Sequence, residues 1–90
     1  MKLRIEHLMW DSGNIAHIAR HGVEPREVEE LCFEHHPLIR KGRLHRYYAF
    51  GQTISGRYLT VVFEYLGHNR AKVITARAMS EAERKFYKKR

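Results

Sequence analysis

Arg57 and Arg77 are the two side chains best suited, by type and by place, to chemistry on a phosphate. Arg57 begins one β-patterned stretch and Arg77 ends another. In adjacent antiparallel strands both positions can fall at one sheet edge, where two planar guanidinium forks converge on a single phosphate. The reaction such a pair serves is cleavage of RNA by its own 2′-hydroxyl. Cations stabilise the charge that builds on the phosphorane, one group takes the hydroxyl proton, and another protonates the departing 5′-oxygen. That chemistry does not require a metal ion. Strict alternation along the strand puts Lys72 on the opposite face to Arg77. The plainer reading of both arginines is a pair of solvated strand-end charges.

His21, Glu83 and Tyr87 are the candidates for moving protons. His21 falls in the last turn of a predicted helix, where the negative dipole end favours an imidazolium and a free carbonyl offers an alternative, structural partner. Glu83 is third after the cap in Ser80-Glu81-Ala82-Glu83, a capping box, which gives it a structural reading beside a catalytic one. Tyr87 lies one turn further on the same helix face and serves either RNA contact or core packing beside Phe86.

Two basic clusters read as phosphate contacts: Arg40, Lys41, Arg43 and Arg46 around Gly42, and Arg84-Lys85 through Lys88, Lys89 and Arg90. Tyr47, Tyr48 and Tyr58 supply rings for base stacking nearby. The glycine and the lack of apolar period in the first cluster predict a mobile loop rather than a membrane-surface helix. Cys32, His35, His36 and His45 lack the paired spacing of a zinc site, so no metal or other cofactor is expected, and Cys32 reads as a small buried hydrophobe.

The chain that must position these groups is short. Ninety residues fit one compact domain over 1–90, and seventeen Lys and Arg against ten Asp and Glu leave a net charge of +7. Polyanions are the natural partners of that charge. A single cysteine excludes a disulfide-framed mini-protein. No apolar run approaches the ~20 residues of a membrane span, and the first residues lack a signal-peptide pattern, so a cytoplasmic protein with no membrane partner is expected.

Alternation over 2–6 predicts a first strand. Asp11 then caps a helix, with Trp10 stapled on Ile15 and with Ile15, Ile18 and Ala19 on the buried face. Gly22 ends that helix and Pro25 opens a second, burying Val28, Leu31 and Cys32 until His35-His36-Pro37. Strands follow over 45–53, 57–65 and 71–77, with a short one around Leu38-Ile39, and a last helix opens at Ser80. The fold class is therefore α+β, with a two-helix hairpin and a C-terminal helix packed around a three- to five-stranded antiparallel sheet. Its helices are expected on one face of that sheet.

Trp10-Asp11, His21-Gly22-Val23, Gly56-Arg57-Tyr58-Leu59 leading into Val61-Val62-Phe63, Ile74-Thr75-Ala76-Arg77-Ala78, and Glu83-Arg84 with Tyr87 occur in an order that resembles the BrnT-type toxin family over nearly the whole chain. The resemblance implies a RelE-like fold and a ribonuclease toxin of a type II toxin–antitoxin pair. It also implies inhibition by a small DNA-binding antitoxin of the BrnA type, with operator DNA reached only through that antitoxin. The chain has Asn14 and Arg20 where the family usually carries lysine. Arg20 keeps the charge and the ability to bind an anion. The expected function is thus a metal-independent endoribonuclease toxin, and the alternatives are a non-catalytic basic nucleic-acid-binding module or a protein-interaction remnant. An antitoxin is expected to cover the basic surface with an acidic segment.

Overall fold

The structure, a computed structural model, describes residues 3–34 and 36–89; readings that involve Lys2, His35 and Arg90 lie outside the described residues. The chain first forms a strand at His7–Met9 (β1), wholly beyond the 2–6 stretch that the alternation predicts. Leu3–Glu6 is not a strand: Ile5 is buried in the core, and the Glu6 N–H reaches the Asn69 carbonyl at 2.7 Å.

Asp11 caps the helix Ser12–Ala19 (α1) as expected, accepting the Asn14 N–H at 2.8 Å while Asn14 accepts the Asp11 N–H at 2.9 Å. The Asn14 amide also donates to the Met9 carbonyl at 2.9 Å and the Val73 carbonyl at 3.2 Å. A position that resembled a lysine site is thus a buried pin between the helix start, β1 and the sheet. Asn14 and Ile18, one turn apart, form the buried face, whereas Ile15 and Ala19 are exposed. Gly22, at φ +71°, takes the left-handed conformation that ends the turn after α1. Pro25 opens the helix Pro25–Glu29 (α2), which runs on into a π-helical turn at Glu30–Glu34. Val28 and Leu31 are fully buried, and Leu31 lies against Gly51, where an added Cβ would sit 2.9 Å from its Cγ. Burial, helped by the charge of Glu29, pushes the Cys32 thiol up to about 12, which fits an inert hydrophobe.

Four further strands follow: Leu38–Lys41 (β2), Arg46–Gln52 (β3), Tyr58–Gly67 (β4) and Arg70–Ala78 (β5). The helix Glu81–Lys88 (α3) closes the chain behind its Ser80 capping box. The sheet order is β1-β5-β4-β3-β2. It is mixed rather than wholly antiparallel, because β1, at one edge, lies parallel to its neighbour β5, with Leu8 opposite Ala71.

The helices take both faces. Leu59, Val61 and Phe63 of β4, with Val73 and Ala76 of β5, join Ile18, Val28 and Leu31 in the core under α1 and α2. On the reverse face α3 lies over Tyr58 and Phe50, its Tyr87 and Phe86 rings meeting theirs edge to face. Placing all helices on one side is therefore corrected: the alternate residues of β3 and β4 are apolar or aromatic enough to need a second cover. A bulge at Ile74, where Val62 pairs with Thr75 and Phe63 with Val73, shifts the alternation. Lys72 and Arg77 consequently share the α3 face, at opposite ends of β5.

Candidate active site

Antiparallel pairing puts Arg77 of β5 opposite Thr60 of β4, both facing α3. The capping box aims Glu83 at the same point. Arg77 donates to Glu83 through both terminal nitrogens, at 2.7 and 2.9 Å, and the Thr60 hydroxyl donates to the same carboxylate at 3.0 Å. The Ser80 N–H adds a bond at 2.8 Å. Glu83 is therefore both the structural cap and the partner of the candidate catalytic arginine. The bonds to Glu83 raise the Arg77 pKa, and Tyr48, on the same face across β4, adds to that effect.

The Arg77 hydrogen bonds, resisted by burial and helped by Ser80 and Thr60, hold the Glu83 carboxyl down at about 2. A folded-state value below the usual 4.5 stabilises the fold above that pH, and the contribution is lost as pH falls from 4.5 toward 2. After solvent screening of a half-exposed pair, about 1–2 kcal/mol is expected to disappear across this window. Melting temperature followed against pH should show the loss in the wild type, and Glu83→Gln should flatten it; parallel curves would contradict the assignment.

Rings and cations flank this centre. The Arg84 guanidinium stands 4.3 Å and the Lys88 ammonium 5.3 Å from the centroid of the Tyr58 ring. On the other side Arg40 lies 4.9 Å from the Phe86 centroid, and Tyr48 stacks beside Phe50 at 6.3 Å. Arg46 points to this face from β3, opposite Glu64. Tyr87 is buried against Tyr58, so of its two readings the packing one describes its ring.

Arg57 does not join Arg77. It precedes β4 on the parity of Leu59, and so turns to the α1 and α2 side. There its Nη1 donates to both oxygens of Glu27, at 2.9 and 2.8 Å, and to the Gly22 carbonyl at 2.9 Å. Convergence of the two arginines on one phosphate is thereby corrected, since Arg57 stands three positions before Thr60, the partner of Arg77, and an odd offset reverses the face. Among the described residues the Nε and Nη2 of Arg57 have no protein partner. Arg57 also lines a hollow of about 300 Å³ at the strand ends, together with Gly56, Tyr58, Ala78, Met79 and Arg84.

His21 and Arg20 also lie on the α1 side, exposed in the turn after that helix, with the His21 ring 5.6 Å from His17. The first basic cluster is not one mobile loop. Arg40 and Lys41 belong to β2 and pair with Tyr48 and Tyr47, so alternation sends Arg40 to the α3 face and Lys41 to the reverse. Arg43 stands in the hairpin turn. Thr60 and Glu27 carry no signal in the sequence: Thr60 becomes a candidate only through its register with Arg77, and Glu27 only through a contact thirty residues away. No metal-holding group of His, Cys, Asp and Glu occurs among the described residues.

Residues 10–83 match the family described as "Ribonuclease toxin, BrnT, of type II toxin-antitoxin system". Among solved structures the fold is similar to the crystal structure of the Brucella abortus ribonuclease toxin BrnT, with a TM-score of 0.67 and 22% sequence identity over 83% of this chain and 97% of that one. Among curated proteins, no sequence matches.

Proposed function

This chain belongs to the family of BrnT ribonuclease toxins of type II toxin–antitoxin systems, and from that premise we propose that it is an endoribonuclease of RelE-like fold that cuts RNA without a metal ion. The observation that carries the reading is the Arg77–Glu83 pair on the α3 face, set among Thr60, Tyr48, Tyr58 and Arg84. A carboxylate gripped by both terminal nitrogens of an arginine occupies the place a phosphate takes. The scissile phosphate replaces Glu83 on Arg77. The released carboxylate, still held by the Ser80 N–H and the Thr60 hydroxyl, binds a proton more readily than it does in the pair and takes the 2′-hydroxyl proton, while Arg77 stabilises the charge on the phosphorane. The departing 5′-oxygen takes its proton from water or from the Tyr87 hydroxyl, the remaining proton-bearing candidate on this face. Arg57 serves a second phosphate, beside the hollow that it lines together with Arg84. Arg40, Arg46 and Lys88 track the RNA backbone, and Tyr48 and Tyr58 stack its bases.

The partners in this reading are single-stranded RNA and a BrnA-type antitoxin, which carries any contact with operator DNA. No helix among the described residues is long and apolar enough to cross a membrane, and a cytoplasmic site of action follows from the substrate. The test is expression from a tightly controlled promoter. Wild type should arrest growth, co-expression of the adjoining reading frame should relieve the arrest, and Arg77→Ala should grow normally. Arrest by Arg77→Ala equal to wild type would refute the site.

A further inference from the structure

We propose that the outer edge of β2, with the groove beside it, is where an extended, acidic segment of the antitoxin docks as a sixth strand; this rests on the toxin reading above. β2 ends the sheet and pairs on one side only, with β3. A four-residue edge left open offers its main chain to another extended segment. On the side away from α3, this edge borders a groove of about 1230 Å³ lined by Leu3, Ile5, Phe33, Ile39, Tyr47 and Lys41; Arg4, which also lines it, is paired with Glu6 at 3.1 Å, so Lys41 is the cation it offers. Phe33 is 44% exposed there, held on the π-helical turn.

The hairpin tip points the same way. Leu44 and His45 form the centre of the β2–β3 turn at φ +56° and +64°, a conformation that favours Asn and Gly and costs a leucine energy. Leu44 is nonetheless 83% exposed. A strained turn that holds an aliphatic side chain in water, between arginines at 43 and 46 without acidic partners among the described residues, suits an apolar and acidic protein strand. RNA would gain little from Leu44, Phe33 or Ile39, because its affinity comes from phosphates and ring faces. The groove lies across the sheet from Arg77. Docking there is separable from covering the cleavage site.

The probe is the purified product of the adjoining reading frame, bound to the full chain. Amide exchange should slow over 38–41 on binding. Leu44→Asn combined with Phe33→Gln should weaken the complex at least tenfold while cleavage of RNA by the free protein stays within twofold. Because asparagine fits the turn better than leucine, Leu44→Asn alone should hold or raise the melting temperature as binding falls, which a merely structural role would not do. Unchanged affinity in the double variant overturns the proposal, as does protection confined to the Arg77 face. A parallel loss of RNA cleavage would make the surface part of the RNA path and overturn it too. If the adjoining product binds nowhere, the toxin–antitoxin reading itself fails, and the docking site with it.

Discussion

Replacing Arg77 with alanine is expected to slow cleavage of single-stranded RNA on the order of 100-fold, about 3 kcal/mol of transition-state stabilisation, the scale of deleting one donor to a developing oxyanion. The loss should fall on kcat as well as on binding, because the guanidinium meets the charge that appears only as the phosphorane forms. Arg77→Lys keeps the charge but not the fork and should recover only part of the rate. The fold should survive, since Glu83 keeps its bonds from Ser80 and Thr60. Arg26→Ala is the control: that arginine is exposed on α2, 3.9 Å from Glu30, and lies on the other side of the sheet. Single-turnover cleavage with saturating protein separates the chemical step from binding, and equal rates for Arg77→Ala and Arg26→Ala would remove Arg77 from the mechanism.

Arg57→Ala is expected to act first on stability. Glu27 is only 8% exposed, and its carboxylate takes charge-assisted bonds from Arg57 while accepting the Glu24 N–H at 3.0 Å. Removing the arginine strands a buried carboxylate and frees the Gly22 carbonyl, which costs about 2–3 kcal/mol for a pair whose cationic member is partly in solvent. In a domain of this size that lowers the melting temperature by roughly 10–20 °C. Glu27→Gln with Arg57→Ala should restore part of the loss, because no buried charge remains. Any fall in RNA cleavage by Arg57→Ala therefore has to be measured well below its own transition. A melting temperature unchanged by Arg57→Ala would show that the Glu27 tie contributes nothing.

What the sequence made legible was local. Asp11 and Ser80 announce their helices within three residues, and Gly22 and Pro25 bracket the turn between α1 and α2, because caps and φ preferences are decided by neighbours in the chain. The family resemblance was legible for the same reason, as short motifs in order, and the match over residues 10–83 bears it out. The parallel seat of β1 beside β5 was not, since it pairs segments from opposite ends of the chain with two helices and three strands between them. Nor was the bulge at Ile74, which has no glycine to mark it and which moves Lys72 onto the face of Arg77. The site suffered most from this. Arg57 and Arg77 look equivalent at strand ends, yet one residue of parity sends the first to Glu27 and the second to Glu83. Alternation likewise divides the basic cluster at Arg40 and Lys41, which read as one patch until β2 is known to be a strand.

Attack by the substrate's own hydroxyl is tested most directly by cleavage of one end-labelled oligonucleotide in EDTA. The substrate is compared with the same strand carrying 2′-deoxyribose throughout, with ribosomes present and absent. The expected result is RNA cut at an unchanged rate in the chelator, 2′,3′-cyclic phosphate or 3′-phosphate ends, and an intact deoxy strand. Cleavage abolished by EDTA, products with 5′-phosphate and 3′-hydroxyl ends, or a deoxy strand cut as fast as RNA would contradict it. RNA bound but never cut, with or without ribosomes, would contradict it equally and leave a nucleic-acid-binding module without catalysis.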